Sequence, residues 1–594
     1  MKEQTNREFS HHPGSKRMRK TNQLFDAERL RLPTGWRRPS VLAASLGINL
    51  LALMLPMVIL QLYDRIIPHQ AIETFAFLMA GMVAVVVIDT ALKIFRSQIL
   101  SWDGARFDHR ESLKAMNRIL DAESLPFEEK PAGFYLDRMH ALERMQEFFS
   151  GQSLLLIMDF PFVVIFLALV WVIAGPLVWV PLTLLLLFLF ASLVTGRHLH
   201  EALESRSLME DRRQNFLIEI LRGIHTIKSM AMEAPMCRRY ERLQHQSATG
   251  IYELSRINSI VQGIGASFSQ LATVAFVGLG SLEVIEGQLS IGALAAGTML
   301  TTRALQPGLK AMGLWTQFQS IRLARRKLQE LFALPTERSG TLRPERGIRG
   351  AVELRDIHFR YPGQERPLLQ GLSLSIRPGE AIAITGDNGA GKSTLINILA
   401  GFIQPQQGEV KLDGHDIRDY DLEYLRSQIG IVPQSGTLFE GTILENMTLY
   451  REGEAIDQAI ELSRMLGLDK ILSRLPEGLD TRIGGAAADN LAEGVRQKII
   501  IVRSLVGKPP LILFDDANAS FDIKNDIQLQ RVMEQLKGRH TLVIVSHRPS
   551  FMRLCDRQLI LRDGKLHDAT QANGEKSESF APPLSATRRV GAAG

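Results

Sequence analysis

An all-α transmembrane domain of six helices followed by an α/β P-loop domain is the fold class this sequence predicts. Three features predict it. Long apolar runs crowd residues 41 to 305, and the remainder has the composition of a soluble chain. The connections between those runs alternate between short segments nearly free of Lys and Arg and long segments rich in both. A glycine-rich loop at 386–393 stands between an apolar strand pattern and the start of a helix.

A helix needs about 20 apolar residues to cross a bilayer. Residues 41–63 carry no charge, and 75–95 carry only Asp89 and Lys93. Residues 153–174 carry only Asp159, while 176–195 and 258–282 are uncharged. The sixth run, 289–305, is shorter and ends at Arg303. Charge within a span is expensive. Asp89, Asp159 and Arg303 therefore belong to a wet path or an interhelix pair, or face water at a helix end. The short connections (64–74, the turn at Gly175-Pro176, and 283–288) hold one basic residue, Arg65. The long ones, 96–152 and 197–257, hold eight and ten Lys/Arg. Positive charge stays on the cytoplasmic side, so both long loops and both termini are expected there. Helical spacing of Leu203, Leu208, Phe216, Leu217 and Ile220 among charges predicts that the membrane helices continue into the cytoplasm.

Residues 1–38 form a basic cytoplasmic segment in which ten Lys/Arg face four Asp/Glu. Beside a membrane span this is a cytoplasmic flank and not a nucleic-acid site. No cleavable signal peptide is visible, because the first apolar run is too long for a signal's apolar core. The membrane domain is expected over 39–330, a polar linker over 331–349, the α/β domain over 350–566, and a disordered Ser/Ala/Gly/Pro-rich tail over 567–594. Cys237 and Cys555 have no partner spacing and are expected to be buried, inert thiols.

The loop Gly386-Asp387-Asn388-Gly389-Ala390-Gly391-Lys392-Ser393, with Thr394 after it, has P-loop spacing. Its glycines let backbone N–H groups wrap the phosphates of a nucleotide, Lys392 reaches the outer phosphates, and Ser393 ligates Mg²⁺. An apolar strand, 511–514, ends in Asp515, where a P-loop enzyme keeps the carboxylate that supports Mg²⁺.

With these landmarks in order, residues 39–566 resemble the ATP-binding-cassette family. The resemblance implies that Tyr361, 25 residues before the loop, stacks on adenine. It implies that Gln434 senses Mg²⁺ and the attacking water, that Asp522 lies in a loop communicating between sites, and that His547 contacts the γ-phosphate. The stretches LQLYDRIIPHQAIET, FEEKPAGFYLDRM, GIHTIKSMAMEA and GALAAGTMLTTRALQP narrow the resemblance to bacterial type I secretion exporters. It then implies an inner-membrane half-transporter that pairs with a second half and moves a polypeptide. A periplasmic adaptor and an outer-membrane channel are the implied partners, and lipids surround it. Coupling helices are expected near 130–137 and 228–235. Many relatives carry an N-terminal peptidase-like domain, which the 38 residues before the first span are too few to form, so leader cleavage is not expected.

Two positions depart from the family. The signature that touches the opposite nucleotide is LSGGQ in the family and Leu491-Ala492-Glu493-Gly494-Val495 here, placed by the RQKI that follows. Ala492 lacks the hydroxyl, and Glu493 sets a carboxylate where a glycine amide meets phosphate. The catalytic Glu is replaced by Asp516, one methylene shorter, so the general base must reach further. Slow hydrolysis is expected. A homodimer would carry both defects at each site, and a heterodimer with an intact partner would split them. Two alternatives stand beside polypeptide export: an ATP-binding regulatory or structural subunit, and an exporter of lipid or small molecules.

Overall fold

The computed structural model describes residues 38–484 and 491–568. The expected basic segment, apart from its last residue, and the expected tail from residue 569 lie outside the described residues. The chain divides into two compact units between Thr336 and Glu337, inside the polar stretch expected to be the linker.

The first unit is helical throughout. Its opening rod runs Pro39–Leu51 and Met54–Gln61, then tightens into a π-helical turn, Leu62–Ile66. Pro56 explains the break: its ring removes the donor that Ala52 O would accept from and crowds that carbonyl. Ile72–Leu120 is one helix of 49 residues, about 74 Å at 1.5 Å per residue. The bilayer's hydrocarbon core is about 30 Å thick, so the helix continues far past its apolar stretch. Trp179–Arg222, Glu233–Ile285 and Ile291–Phe332 are similarly long. The third rod is broken, running Ala132–Ser150, Gln152–Asp159 and Phe162–Ala174, with interruptions at Gly151 and at Phe160-Pro161. The expected turn at Gly175-Pro176 is a 3₁₀ turn, Gly175–Val178, which Gly175 enters at φ +54°.

Among the described residues, four helical segments are long and apolar enough to cross a membrane: Pro39–Ile66, Ile72–Leu120, Phe162–Phe188 and Glu233–Ile285. The third of these contains parts of both apolar runs that the Gly175 turn divides. Ile291–Phe332 is a continuous helix that falls short of that apolarity, in keeping with the charge at Arg303. No residue in the most apolar window of Ile72–Leu120 is buried, and Phe77, Val83 and Val87 point outward. Apolar residues on the outside suit a helix solvated by lipid.

The charges within the spans differ in their partners. Asp89 pairs with Lys93 one turn along its own helix, at 2.6 Å. Asp159 forms an interhelix cluster: Oδ1 accepts from Arg96 Nη1 at 2.9 Å and from Asn49 Nδ2 at 3.0 Å, and Arg96 Nη1 also reaches Ser45 Oγ at 2.9 Å. Three rods meet there. At the opposite end of the first rod, Asp64 accepts from Ser290 Oγ (2.6 Å) and Gly292 N (2.9 Å), capping the last long helix. A Cβ on residue 292 would lie 2.5 Å from Asp64 Oδ1, so glycine is required for that clasp. Beyond the apolar stretch, Phe107, Tyr135, Leu142, Met145, Leu328 and Leu331 form a separate core. The 96–152 connection is therefore packed against the end of Ile291–Phe332 and is not a loose loop.

The short helices at the chain reversals are Ser124–Glu128 and Ile224–Ser229, a few residues before the positions expected for coupling helices. Pro131 stands at the N-cap of Ala132–Ser150 and ends the reversal there, so most of 130–137 already belongs to the next rod. Cys237 is exposed, and Cys555 is partly buried. Cys237 shares an exposed, basic start of its helix with Arg238 and Arg239, a face that composition alone could not orient. Burial pushes the Cys555 thiol up to about 12, leaving almost no thiolate at pH 7.5. Maleimide at that pH is expected to label one thiol per native chain and none in Cys237→Ser; labelling of the variant would contradict the assignment.

The second unit has a six-stranded sheet in the order Lys565–Asp568, Arg557–Arg562, Ala381–Thr385, Thr541–Val545, Leu511–Asp515, Ile429–Val432. All neighbours are parallel except the edge pair formed by the first two. Its central strands are unbroken apolar runs, as a sheet covered on both faces requires. A four-stranded antiparallel sheet, Leu369–Ile376, Val352–Phe359, Gln407–Leu412 and His415–Asp416, accompanies it. The register pairs Ile384 with Val545 and Val545 with Asp515. Three strands thus end level, and the residues following each arrive at one edge.

Candidate nucleotide site

Ligands of open α/β sheets bind beyond the carboxyl ends of the strands, and the P-loop leaves that edge directly from Thr385. Gly386 takes φ +152°, and a Cβ there would lie 2.4 Å from Leu561 O, so only glycine fits. Gly391, at φ +104°, leads into the helix Lys392–Leu399. Lys392 Nζ donates to the carbonyls of Gly386 (2.8 Å) and Asp387 (3.0 Å). The ammonium is held across the mouth of the loop, where it would face phosphate.

A cavity of about 330 Å³ opens beside this loop. Asn388, Gly389, Gly391, Lys392, Ser393 and Thr394 line it from the loop and its helix. Tyr361, Gln434, Asp515, Asp516 and His547 line it from elsewhere in the unit. Gly386, Asp387 and Ala390 do not line it: they shape the turn, the first two through the carbonyls that hold Lys392. Gln364, Leu368 and Val545 also line the cavity and were not singled out from the sequence. Leu368 would lie 3.1 Å from a Cβ on Gly391, a contact no local pattern announces.

Each side chain has an identifiable support. Tyr361 hydroxyl and Thr394 Oγ1 share a 3.0 Å hydrogen bond, and Phe359 meets the Tyr361 ring edge-on. Burial holds the Asp515 carboxyl above its ordinary range and the adjacent Asp516 adds to this, against a hydrogen bond from Ser393 and the charge of Lys392. A divalent cation would relieve that carboxylate crowding. Asp516 adopts φ +44°, a left-handed conformation that Asp tolerates better than most residues. Its N–H donates to Val545 O at 2.8 Å. Gln497 Nε2 donates to Pro433 O at 2.8 Å, tying the loop that carries Gln434 to the helix Glu493–Leu505. Asp522 caps Ile523–Leu536, accepting from Asn525 N at 2.7 Å.

The signature stretch lies away from this cavity, at the start of Glu493–Leu505. Ala492 occupies the cap position without a side-chain cap. Glu493 is exposed and pairs with Arg496 at 3.4 Å. A Cβ on Gly494 would meet only Asn525 Nδ2, at 3.9 Å. Packing within this chain therefore does not require glycine at 494.

A lipid-facing helical unit joined to a P-loop ATPase unit defines a membrane transport ATPase. Residues 41–307 match the ABC transporter transmembrane region and residues 369–519 match the ABC transporter family. The alpha-hemolysin translocation ATP-binding protein HlyB of Escherichia coli O157:H7 is 30% identical over 530 residues, covering 88% of this chain and 74% of that protein. The cyclolysin secretion/processing ATP-binding protein CyaB of Bordetella pertussis Tohama I is 28% identical over 527 residues, 89% and 74% of the two chains. The fold matches a bacterial Atm1-family ABC exporter solved with ATP bound, at TM-score 0.77 and 22% identity over 92% of this chain and 97% of that one. The chain belongs to the ABC transporter family: it is an exporter half-transporter, a membrane protein whose ATPase domain is coupled to transport.

Proposed function

We propose that the chain exports a polypeptide across the bacterial inner membrane, as one half of a dimer that hydrolyses ATP slowly. The observation that carries this is the single cavity shared by Lys392, Ser393, Gln434, Asp515, Asp516 and His547, in a chain whose relatives include proteins named for alpha-hemolysin translocation and cyclolysin secretion/processing. Tyr361 stacks the adenine, and residues 386–394 hold the phosphates. Ser393, Gln434 and Asp515 would hold Mg²⁺, which would neutralise charge on the phosphates. Asp516 takes the proton of the attacking water, and His547 orients the γ-phosphate. The reversals at 124–131 and 224–232 transmit the cassette's state to the helices. Both termini face the cytoplasm; a periplasmic adaptor and an outer-membrane channel complete the path.

The slow rate follows from the other half of the site. A helix N-terminus attracts anions, but here Glu493 already supplies one, and Ala492 offers no hydroxyl. The second assembly, a heterodimer with an intact cassette, is favoured by the same two residues. Mg-ATP turnover in lipid nanodiscs is expected to exceed that of Lys392→Ala measurably while staying low for the family. Turnover equal to Lys392→Ala, with a second cassette chain copurifying, would instead identify a regulatory subunit.

A further inference from the structure

Asp516 and His547 follow adjacent strands, yet neither strand end fixes how the two loops stand to each other. A third residue joins them. Asp526, in the first turn of Ile523–Leu536, is 8% exposed. Its Oδ1 accepts from Asn518 Nδ2 at 2.8 Å and pairs with Arg548 Nη1 at 3.1 Å; its Oδ2 accepts from Ser550 Oγ at 3.1 Å. Asn518 is fully buried two residues after Asp516, and its Oδ1 accepts from Ser546 Oγ at 3.4 Å, just before His547. Arg548, just after His547, donates through Nη2 to Phe521 O (2.8 Å) and Ala519 O (3.3 Å). One carboxylate therefore receives donors from both loops. Capping its own helix is not what holds it there, since Asp522 already performs that role. The left-handed backbone of Asp516 persists only if its surroundings over-determine it, and Asn518 of this network lies two residues after it.

We propose that Asp526 is a positioning residue for hydrolysis: it fixes the Asp516 loop and the His547 loop relative to one another. This rests on the assignment of Asp516 as base and His547 as γ-phosphate contact. A displacement of about 1 Å in such a pair costs on the order of 100-fold in rate, while nucleotide affinity, set by Tyr361 and the P-loop, is untouched.

The test uses the full chain in nanodiscs, in the signature-repaired background (Ala492→Ser, Glu493→Gly) and with Mg-ATP. Asp526→Asn is expected to lower kcat by about 10- to 100-fold with the KM for ATP within about twofold. Amide exchange should rise together in residues 516–522 and 545–550. Ser550→Ala, a milder cut of the same network, should move both readouts the same way by less, and it decides the matter if Asp526→Asn does not fold. Glu534→Gln, on the exposed face of the same helix, should change neither. If Asp516→Asn and His547→Ala silence turnover while Asp526→Asn and Ser550→Ala leave kcat and exchange unchanged, the positioning role is overturned and the site assignment stands. If Asp516→Asn and His547→Ala themselves leave turnover intact, the site assignment falls and this inference with it.

Discussion

Replacing Ala492 by Ser and Glu493 by Gly together is expected to raise Mg-ATP turnover by about 100-fold. Removing one preorganised donor from a charged transition state costs about 2.7–4 kcal/mol, a factor of 10² to 10³, and repair returns that donor. The charge is a second term. Two like unit charges 4 Å apart repel by about 4 kcal/mol at an effective dielectric of 20. Arg496, 3.4 Å from Glu493, offsets part of it, which keeps the expected gain near the lower end. Glu493→Gln separates the terms: it removes the charge, keeps the bulk and leaves the hydroxyl missing, so it should recover only part of the gain. Asp516→Glu tests the other departure and should add to the repair only once the signature is restored, since both act on one transition state. A repaired chain no faster than the native one, with both well above Lys392→Ala, would mean that the altered signature is tolerated.

Much of the architecture was legible because its causes are local. An uncharged run of about 20 residues has few alternatives to a membrane helix, and the spacing from Gly386 to Ser393 is set by the phosphate it wraps. Level strand ends then bring Asp515, Asp516 and His547 to the edge that the motifs implied. What was illegible depends on pairs distant in sequence. Arg96 and Asp159 are 63 residues apart, and Asn49 lies 110 before Asp159; nothing in the neighbourhood of any one of them names the others. Asp526 is an ordinary acidic residue in a helix's first turn until Asn518, Arg548 and Ser550 converge on it. The first reversal helix, Ser124–Glu128, ends before 130–137 because Pro131 already caps the next rod, whereas the resemblance located only the region. The outward face of Cys237 is likewise a matter of helix orientation, which composition does not carry.

The Asp159 cluster supports the second large effect, which is asymmetric. Asp159→Ala is expected to destabilise the membrane unit by about 3–5 kcal/mol, the cost of leaving a buried charge uncompensated. The Arg96 side chain is 7% exposed, and its Nε has no hydrogen-bond partner among the described residues. Without the carboxylate, the guanidinium keeps, among the described residues, the Ser45 hydroxyl alone. Asp159 also sits at the end of Gln152–Asp159, immediately before the Phe160-Pro161 interruption. Its bonds to Arg96 and Asn49 therefore tie a broken rod to two neighbours at the point where its own backbone ladder is weakest. Removing both charges should be far milder. A buried ion pair replaced by apolar side chains is often neutral or stabilising, so Asp159→Leu with Arg96→Leu should recover most of what Asp159→Ala loses. Asn49 keeps a partner in that double variant, since its Nδ2 also donates to Ser45 O at 2.8 Å. The measurement is the fraction of detergent-purified chain that stays monodisperse across a heating series, read with ATPase turnover. If the cluster only fills space, the single and double variants will fall together. If its charge balance aligns the three rods, the single variant will collapse early while the double variant follows the native curve.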